Sequence, residues 1–397
     1  MIDEQNLVMT NVIAVLPDRV IDHASIVVRD GFIVDILERA IDGVEALNGN
    51  GALCIPGLVD THSDALEKEI RPRPGVALDI PFALRSFEGR ARAAGVTTIF
   101  HGVGYEENGV YDRTVAQAEA LCAAVDDRNA SGRALIDHQI LHRLDVRDAD
   151  GLAALERRLD ALGESPQSLL PLVSYEDHTP GQGQYRDRSW YEAYIAGTRG
   201  IDEATAQGVV DEILASRDAN LDVREKSVVS MGARAVGGQI RLMIHDPADA
   251  TEVDHAWASG MTIAEFPTTV EAARSARSCG MRTVCGGPNA LRGTSHSGNV
   301  SARALIELGL CDGLASDYLP TTLIGSVAVL VDAGVCDLPT AVSLVTSGPA
   351  ESVGLSDRGR LAVGQRADLV LAQFDGPLPT VRFVLSQSLT AERIGVE

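Results

Sequence analysis

The sequence predicts an α/β protein, a TIM-like (β/α)8 barrel carrying a small β-sandwich domain assembled from both termini. Two observations lead to it. Through the middle of the chain, short apolar strands alternate with Ala-rich helical stretches, and β-type patterning appears at both ends. In addition, His62, His178, His245 and Asp317 each sit at or just beyond the C-terminal end of one of those strands, where parallel β/α barrels build their sites.

Residues 1–55 read as β-structure, with apolar runs at Val12–Leu16, Ser25–Val28 and Phe32–Val34, the last two joined by the hairpin dipeptide Asp30-Gly31. Matching runs return at Gly359–Leu361, Gly364–Leu371 and Val381–Val384, so residues 356–397 complete the small domain around a barrel spanning 56–355. The barrel strands are expected near Val59, Thr97–Phe100, Ile136–Leu144, Leu170–Val173, Arg241–Ile244, Thr262–Ala264, Arg282–Val284 and Gly313–Ala315. Residues from about 181 to 235 form an oversized helical insertion, read either as a lid or as packing helices.

At 397 residues, 45% hydrophobic and with 38 Gly, the chain is long enough for one large domain and a smaller one. Its six Cys residues show no CxxC or paired spacing, which points to reduced thiols and a cytoplasmic protein. The N-terminus has no basic segment before an apolar core, and no apolar run approaches the roughly 18 residues of a membrane span. The net charge of −22 excludes a nucleic-acid binder, which needs a positive face to neutralise phosphates. It also means that an anionic small molecule must be held by local cations against the global field.

The most informative stretch is Ile55-Pro56-Gly57-Leu58-Val59-Asp60-Thr61-His62-Ser63-Asp64. Side chains at i and i+2 of a strand share a side, so His62 and Asp64 can approach one metal ion together. A lone His-x-Asp is more often a polar strand end beside a turn than a ligand pair. The later strand-end residues His178, His245 and Asp317 shift the balance towards a metal site. His101, His23, His138, His142 and His255 carry no such signal and are read as structural.

Longer motifs carry a resemblance. Ala65-Leu66-Glu67-Lys68-Glu69-Ile70-Arg71-Pro72-Arg73-Pro74-Gly75-Val76, Asp177-His178-Thr179-Pro180-Gly181-Gln182, Ile263-Ala264-Glu265-Phe266-Pro267-Thr268-Thr269, Arg292-Gly293-Thr294-Ser295-His296-Ser297-Gly298-Asn299-Val300-Ser301-Ala302 and Ala315-Ser316-Asp317-Tyr318 resemble the PhnM family of the amidohydrolase superfamily. That family comprises metal-dependent hydrolases of the carbon-phosphorus lyase pathway. The resemblance implies hydrolysis of α-D-ribose 1-methylphosphonate 5-triphosphate to the 5-phosphate with release of diphosphate. It implies a divalent metal, one or two ions, with zinc the first expectation and manganese or iron as alternatives.

On that resemblance His62, Asp64, His178, His245 and Asp317 form the metal shell, with Asp317 also the proton acceptor in catalysis. Asp145 falls where the family places a bridging Glu. Lys68, Arg71, Arg73, Glu265, Arg292, Ser295, His296, Ser297 and Asn299 are the expected substrate contacts. The superfamily takes its later histidines from strands five and six, whereas His178 and His245 follow the fourth and fifth candidate strands. Gly183 stands where the family pattern has an arginine, which keeps open a second reading, an amidohydrolase acting on a cyclic amide, an N-acyl group or a smaller phosphoester. A third reading, from another class, is a non-catalytic scaffold of a phosphonate pathway. The expected partner is a small anionic phosphorylated substrate, with no nucleic acid and no membrane; a homodimer is left open.

Overall fold

A computed structural model describes residues 5–41, 46–73, 75–108, 113–163, 169–181, 183, 187–295, 297–376 and 378–387. Five strands open the chain, β1 (Leu7–Val15), β2 (Val20–Arg29), β3 (Phe32–Leu37), β4 (Leu47–Asn48) and β5 (Leu53–Pro56). Eight follow, β6 (Leu58–Ser63), β7 (Val96–Tyr105), β8 (Asp137–Asp145), β9 (Leu172–Glu176), β10 (Arg241–His245), β11 (Ile263–Glu265), β12 (Arg282–Gly286) and β13 (Gly313–Ala315). The last two are β14 (Leu369–Gln373) and β15 (Thr380–Leu385).

The strands β6 to β13 pair in chain order as one parallel sheet. Its ends meet through a parallel bridge between Ser63 and Asp317, with Asp317 N donating to His62 O at 2.9 Å and Asp64 N to Asp317 O at 2.5 Å. Below that seam Ser316 donates from N and Oγ to the buried Asp60 carboxylate at 2.9 and 2.5 Å. All eight strands expected from the apolar runs are present in their expected order, so His178 does follow the fourth barrel strand and His245 does end the fifth.

Alternation explains the interior. Val59, Phe100, Leu141, Leu172, Met243, Ile263, Val284 and Ala315, one from each barrel strand, form one apolar cluster inside the barrel, joined by Ala350, Val353 and Leu355. Their strand neighbours face outward against the helices. The helix Ala149–Leu162 shows how that outer layer is specified, since Asp148 caps it by accepting from Gly151 N at 2.7 Å. Leu152, Leu155 and Leu159 then recur on its buried face at helical spacing.

The other seven strands form the second sheet, ordered β15-β14-β5-β1-β2-β3 with β4 beside β1, over an apolar core of its own. The hairpin expected at Asp30-Gly31 joins β2 to β3, with φ of 50° and 74°, both in the left-handed region that such a turn needs. Between β9 and β10 the described residues form three helices, Arg188–Arg199, Glu203–Ala219 and Leu221–Val236. No described helix is long and apolar enough to cross a membrane.

One buried ion network ties the segment after the barrel to its N-terminal base. Arg358 Nη1 lies 2.5 Å and Arg366 Nη1 3.2 Å from the same oxygen of Asp137, at the start of β8. Burial alone would raise the Asp137 carboxyl, but the two guanidinium groups outweigh it and hold it at about 2. A carboxyl depressed on folding stabilises the fold above its ordinary pKa of 3.8 and loses that contribution as the pH falls through about 2. Asp137→Asn should therefore destabilise the protein by about 3 kcal/mol near neutrality, because it leaves two buried cations short of an anion. Urea unfolding should show the gap between variant and wild type closing over that acidic window. A gap that stays constant would contradict the assignment.

Candidate metal centre and anion cavity

The C-terminal ends of five barrel strands deliver the polar cluster. His62 is the penultimate residue of the first strand, beside the Asp317 seam, and Asp64 follows that strand as the residue before the helix Ala65–Ile70. Glu176 ends the fourth and His178 lies two residues on, His245 ends the fifth, Glu265 ends the sixth, and Asp317 lies two residues past the eighth. Three of these turns are made by non-glycine residues in the left-handed region, Asp246 (φ 53°), Phe266 (φ 50°) and Asp317 (φ 58°). Such conformations cost roughly 1–3 kcal/mol each and collect where the chain must aim a group rather than relax.

Among the described residues, three overlapping groups have ligand atoms within 4.8 Å of one another: His62, His245 and Glu265; Glu176, His178 and His245; and His62, Asp64 and Asp317. His62 Nδ1 and Glu265 Oε1 are buried and 2.9 Å apart, yet neither is aligned for a hydrogen bond. Two ligands about 2.1 Å from one ion at right angles lie about 3 Å apart, so this spacing is that of neighbours in a coordination sphere. His245 Nδ1 lies 2.8 Å from Glu265 Oε2, and its Nε2 lies 3.3 Å from Asp246 Oδ2.

The electrostatics ask for a cation. Burial opposes charge on His62, but Glu265 and Asp64 carry its pKa well above the ordinary value. His245 reaches about 9 against the same burial penalty because Asp246, Glu176 and Glu265 surround it. His178, where burial dominates, falls to about 4. Desolvation and the neighbouring Asp64 raise Asp317. Imidazole and carboxylate donors crowded at this density, with anions forcing protons onto the imidazoles, fit a divalent metal of the zinc, manganese or iron type.

Not every expected residue joins the cluster. Asp145, at the end of β8, is gripped by Arg217, whose Nη1 and Nη2 donate to its two oxygens at 2.8 and 2.9 Å, and it belongs to none of the three groups. Glu176, from the neighbouring strand, is the carboxylate that groups with His178 and His245 instead. The signal that would have found it is the alternation already applied to His62 and Asp64, since Glu176 and His178 are also two residues apart. Glu265, expected to contact substrate, groups with His62 and His245. His101 stacks on His138, which lies 3.0 Å from Glu88, well inside the strand–helix layer.

A cavity of about 470 Å3 opens over the cluster, within the usual range for small-molecule sites. Lys68, Arg71, Arg113, Arg143 and Arg292 line it together with His62, Asp64, His178, His245 and Asp317. Ser295, Ser297 and Asn299 line its wall, tied by Ser295 Oγ to Ser297 Oγ at 3.1 Å and Asn299 Nδ2 to Ser297 Oγ at 2.9 Å. His296 lies outside the described residues. Arg73 does not reach the cavity; it is exposed, in a turn where Val76 N donates to its carbonyl at 3.2 Å. Arg113 and Arg143, which sequence reasoning passed over, are held by carboxylates, Arg113 by Glu67 and Glu106 and Arg143 by Asp64 and Glu176. Gly183 lies against Asp246 at φ 50°, where a Cβ would stand 3.2 Å from that of Asp246, so its backbone disfavours a larger residue.

Comparison with known proteins agrees with this fold. Residues 294–378 match the amidohydrolase family. Over 368 residues, 92% of this chain and 95% of the relative, the sequence is 34% identical to the α-D-ribose 1-methylphosphonate 5-triphosphate diphosphatase of Escherichia coli K12. Among solved structures, a 5-methylcytosine deaminase from Klebsiella pneumoniae liganded with phosphonocytosine aligns with TM-score 0.62 at 16% identity, over 97% of this chain and 98% of that one. A prolidase complexed with N-methylphosphonate-L-proline aligns at 0.59 and 15%, over 97% and 99%. A D-hydantoinase aligns at 0.52 and 16%, over 92% and 86%. At those identities the solved structures speak to the fold alone.

Fold and site together define a hydrolase of the amidohydrolase superfamily. Within it, the chain belongs to the PhnM family of phosphonate metabolism.

If the cluster binds metal as its geometry indicates, His62→Ala should lose most of its divalent metal when the purified protein is analysed by inductively coupled plasma mass spectrometry. Asp145→Asn, outside the cluster, should keep it. Full retention in the His62 variant would contradict the ligand role.

Proposed function

We propose that this protein hydrolyses α-D-ribose 1-methylphosphonate 5-triphosphate to the 5-phosphate and diphosphate. One observation carries the reading. In a chain of net charge −22, the C-terminal mouth of the barrel gathers Lys68, Arg71 and Arg292 into the same cavity as the metal-type donor cluster. Among the described residues, neither Lys68 nor Arg292 is ion-paired with a carboxylate, so both remain available to a ligand anion. The curated relative's name supports the same substrate.

His62, His245 and Glu265 would hold the divalent ion, with Asp64, Glu176, His178 and Asp317 completing the donor cluster around it. When bound, such an ion supplies a nucleophile at neutral pH, because it lowers the pKa of water from 15.7 to about 7. Asp317 accepts the proton of the attacking water, being a carboxylate at the seam beside His62. The oxygen–phosphorus bond forms at the α-phosphorus, the α–β anhydride bond breaks, and diphosphate leaves with the electron pair. That leaving group needs charge neutralisation more than a proton, which Lys68, Arg71 and Arg292 provide at close range in a low-dielectric cavity. Ser295, Ser297 and Asn299 offer hydroxyl and amide donors to the remaining phosphoryl oxygens. The protein works as a cytoplasmic enzyme of phosphonate catabolism on this reading.

The test is to assay the purified protein with the triphosphate and with cyclic amides side by side. Charge-assisted hydrogen bonds contribute about 1.5 to 3 kcal/mol apiece. Arg292→Ala and Lys68→Ala should therefore each lower kcat/KM for the triphosphate by roughly tenfold to a hundredfold while metal content is unchanged. Arg73→Ala, outside the cavity, should behave as wild type. Wild-type efficiency in both cavity variants, or ring opening of a cyclic amide with no diphosphate released, would replace this reading with that of a cyclic amidohydrolase.

A further inference from the structure

Arg143 projects from β8, the third barrel strand, into the middle of the donor cluster, where it is buried. Its Nη1 donates to both oxygens of Asp64 at 2.6 and 2.7 Å, and its Nε and Nη2 donate to the two oxygens of Glu176 at 2.8 and 3.0 Å. One planar fork thus spans a carboxylate of the first strand and a carboxylate of the fourth.

The neighbouring strand is shaped around it. A Cβ on Gly102 would stand 2.4 Å from Asp64 Oδ1 and 3.0 Å from Arg143 Cδ, so only glycine leaves room for this pair. The arrangement is therefore built into the barrel and does not result from a surface arginine folding inward.

Of the three donor groups, the one of Glu176, His178 and His245 and the one of His62, Asp64 and Asp317 each depend on a carboxylate that Arg143 already holds. The third, His62, His245 and Glu265, uses neither. It is also the group in which the buried His62 Nδ1 and Glu265 Oε1 stand 2.9 Å apart without an aligned hydrogen bond. A second dication set between Asp64 and Glu176 would need the oxygens and the space that the guanidinium takes, and would meet a like charge at contact distance in a low dielectric.

We propose that Arg143 takes the place of a second metal ion, so that the centre binds one divalent cation per chain, at His62, His245 and Glu265. The inference rests on the reading of the cluster as a metal centre. It assigns Arg143 as a positioning residue that fixes Asp64 and Glu176 and sets the metal stoichiometry.

The full-length protein is saturated with zinc, freed of excess metal by gel filtration, and its zinc and protein contents are measured. Wild type and Arg143→Lys should each hold one equivalent, because the cation is kept, whereas Arg143→Met should take up a second, weaker equivalent. The manganese-loaded wild type should give the paramagnetic resonance spectrum of an isolated ion. Two equivalents in wild type, an exchange-coupled manganese spectrum, or a folded Arg143→Met that still holds only one equivalent would each overturn the proposal. If Arg143→Met does not fold, the wild-type and lysine stoichiometries still decide it. No bound metal at all in wild type would instead overturn the metal reading beneath it, an outcome distinct from two.

Discussion

The closure between the first and last barrel strands is the interaction on which the rest depends. Closing an eight-stranded parallel sheet on itself pairs the backbone groups that its two edge strands would otherwise leave open. Here the bonds that close it are made by the backbone of His62, Asp64 and Asp317, whose side chains belong to the donor cluster. Ser316 and Asp60 lock the same seam one layer down. The fold and the site therefore share atoms, and the left-handed turn at Asp317 is what allows one residue to pair its backbone with strand one and aim its carboxylate at the mouth.

The seam sits in a field that the whole protein makes unfavourable to anions. The chain answers locally, by placing arginines inside the barrel mouth and spacing them against carboxylates. Arg143 and Arg113 are neutralised in place, whereas Lys68 and Arg292 face the cavity without a carboxylate partner among the described residues. The first pair builds the site and the second pair is free to meet a ligand. Their division of labour follows from which cations stand beside carboxylates, as Arg113 does beside Glu67 and Glu106 and Arg143 beside Asp64 and Glu176, and which do not.

Much of this was legible in the sequence, for physical reasons that can be named. Barrel strands buried on both sides read as short apolar runs, so all eight appeared in order. Strand alternation put His62 with Asp64, and Asp30-Gly31 announced its hairpin. Glu176 escaped because the apolar run seemed to stop at Val173, while β9 continues through Ser174 and Tyr175 to the glutamate. Arg143 escaped for a different reason. A buried arginine is decided by partners far away in the chain, here Asp64 and Glu176, and nothing local marks it. The same holds for Asp145, drawn to Arg217 from the helical insertion, and for Arg73, which a turn carries away from the cavity that Lys68 and Arg71 reach.

The small β domain has a consequence for how the chain is made. Its strand β5 ends at Pro56, but the partner that covers its edge, β14, begins only at Leu369. At ribosomal rates of roughly 5 to 20 residues per second, that edge waits for tens of seconds after it emerges. Throughout that interval the apolar strands β1 to β5 are an incomplete sheet attached to a barrel that is itself unfinished until Asp317 arrives. The nascent chain thus carries an unpaired β edge until the strand beginning at Leu369 has been made.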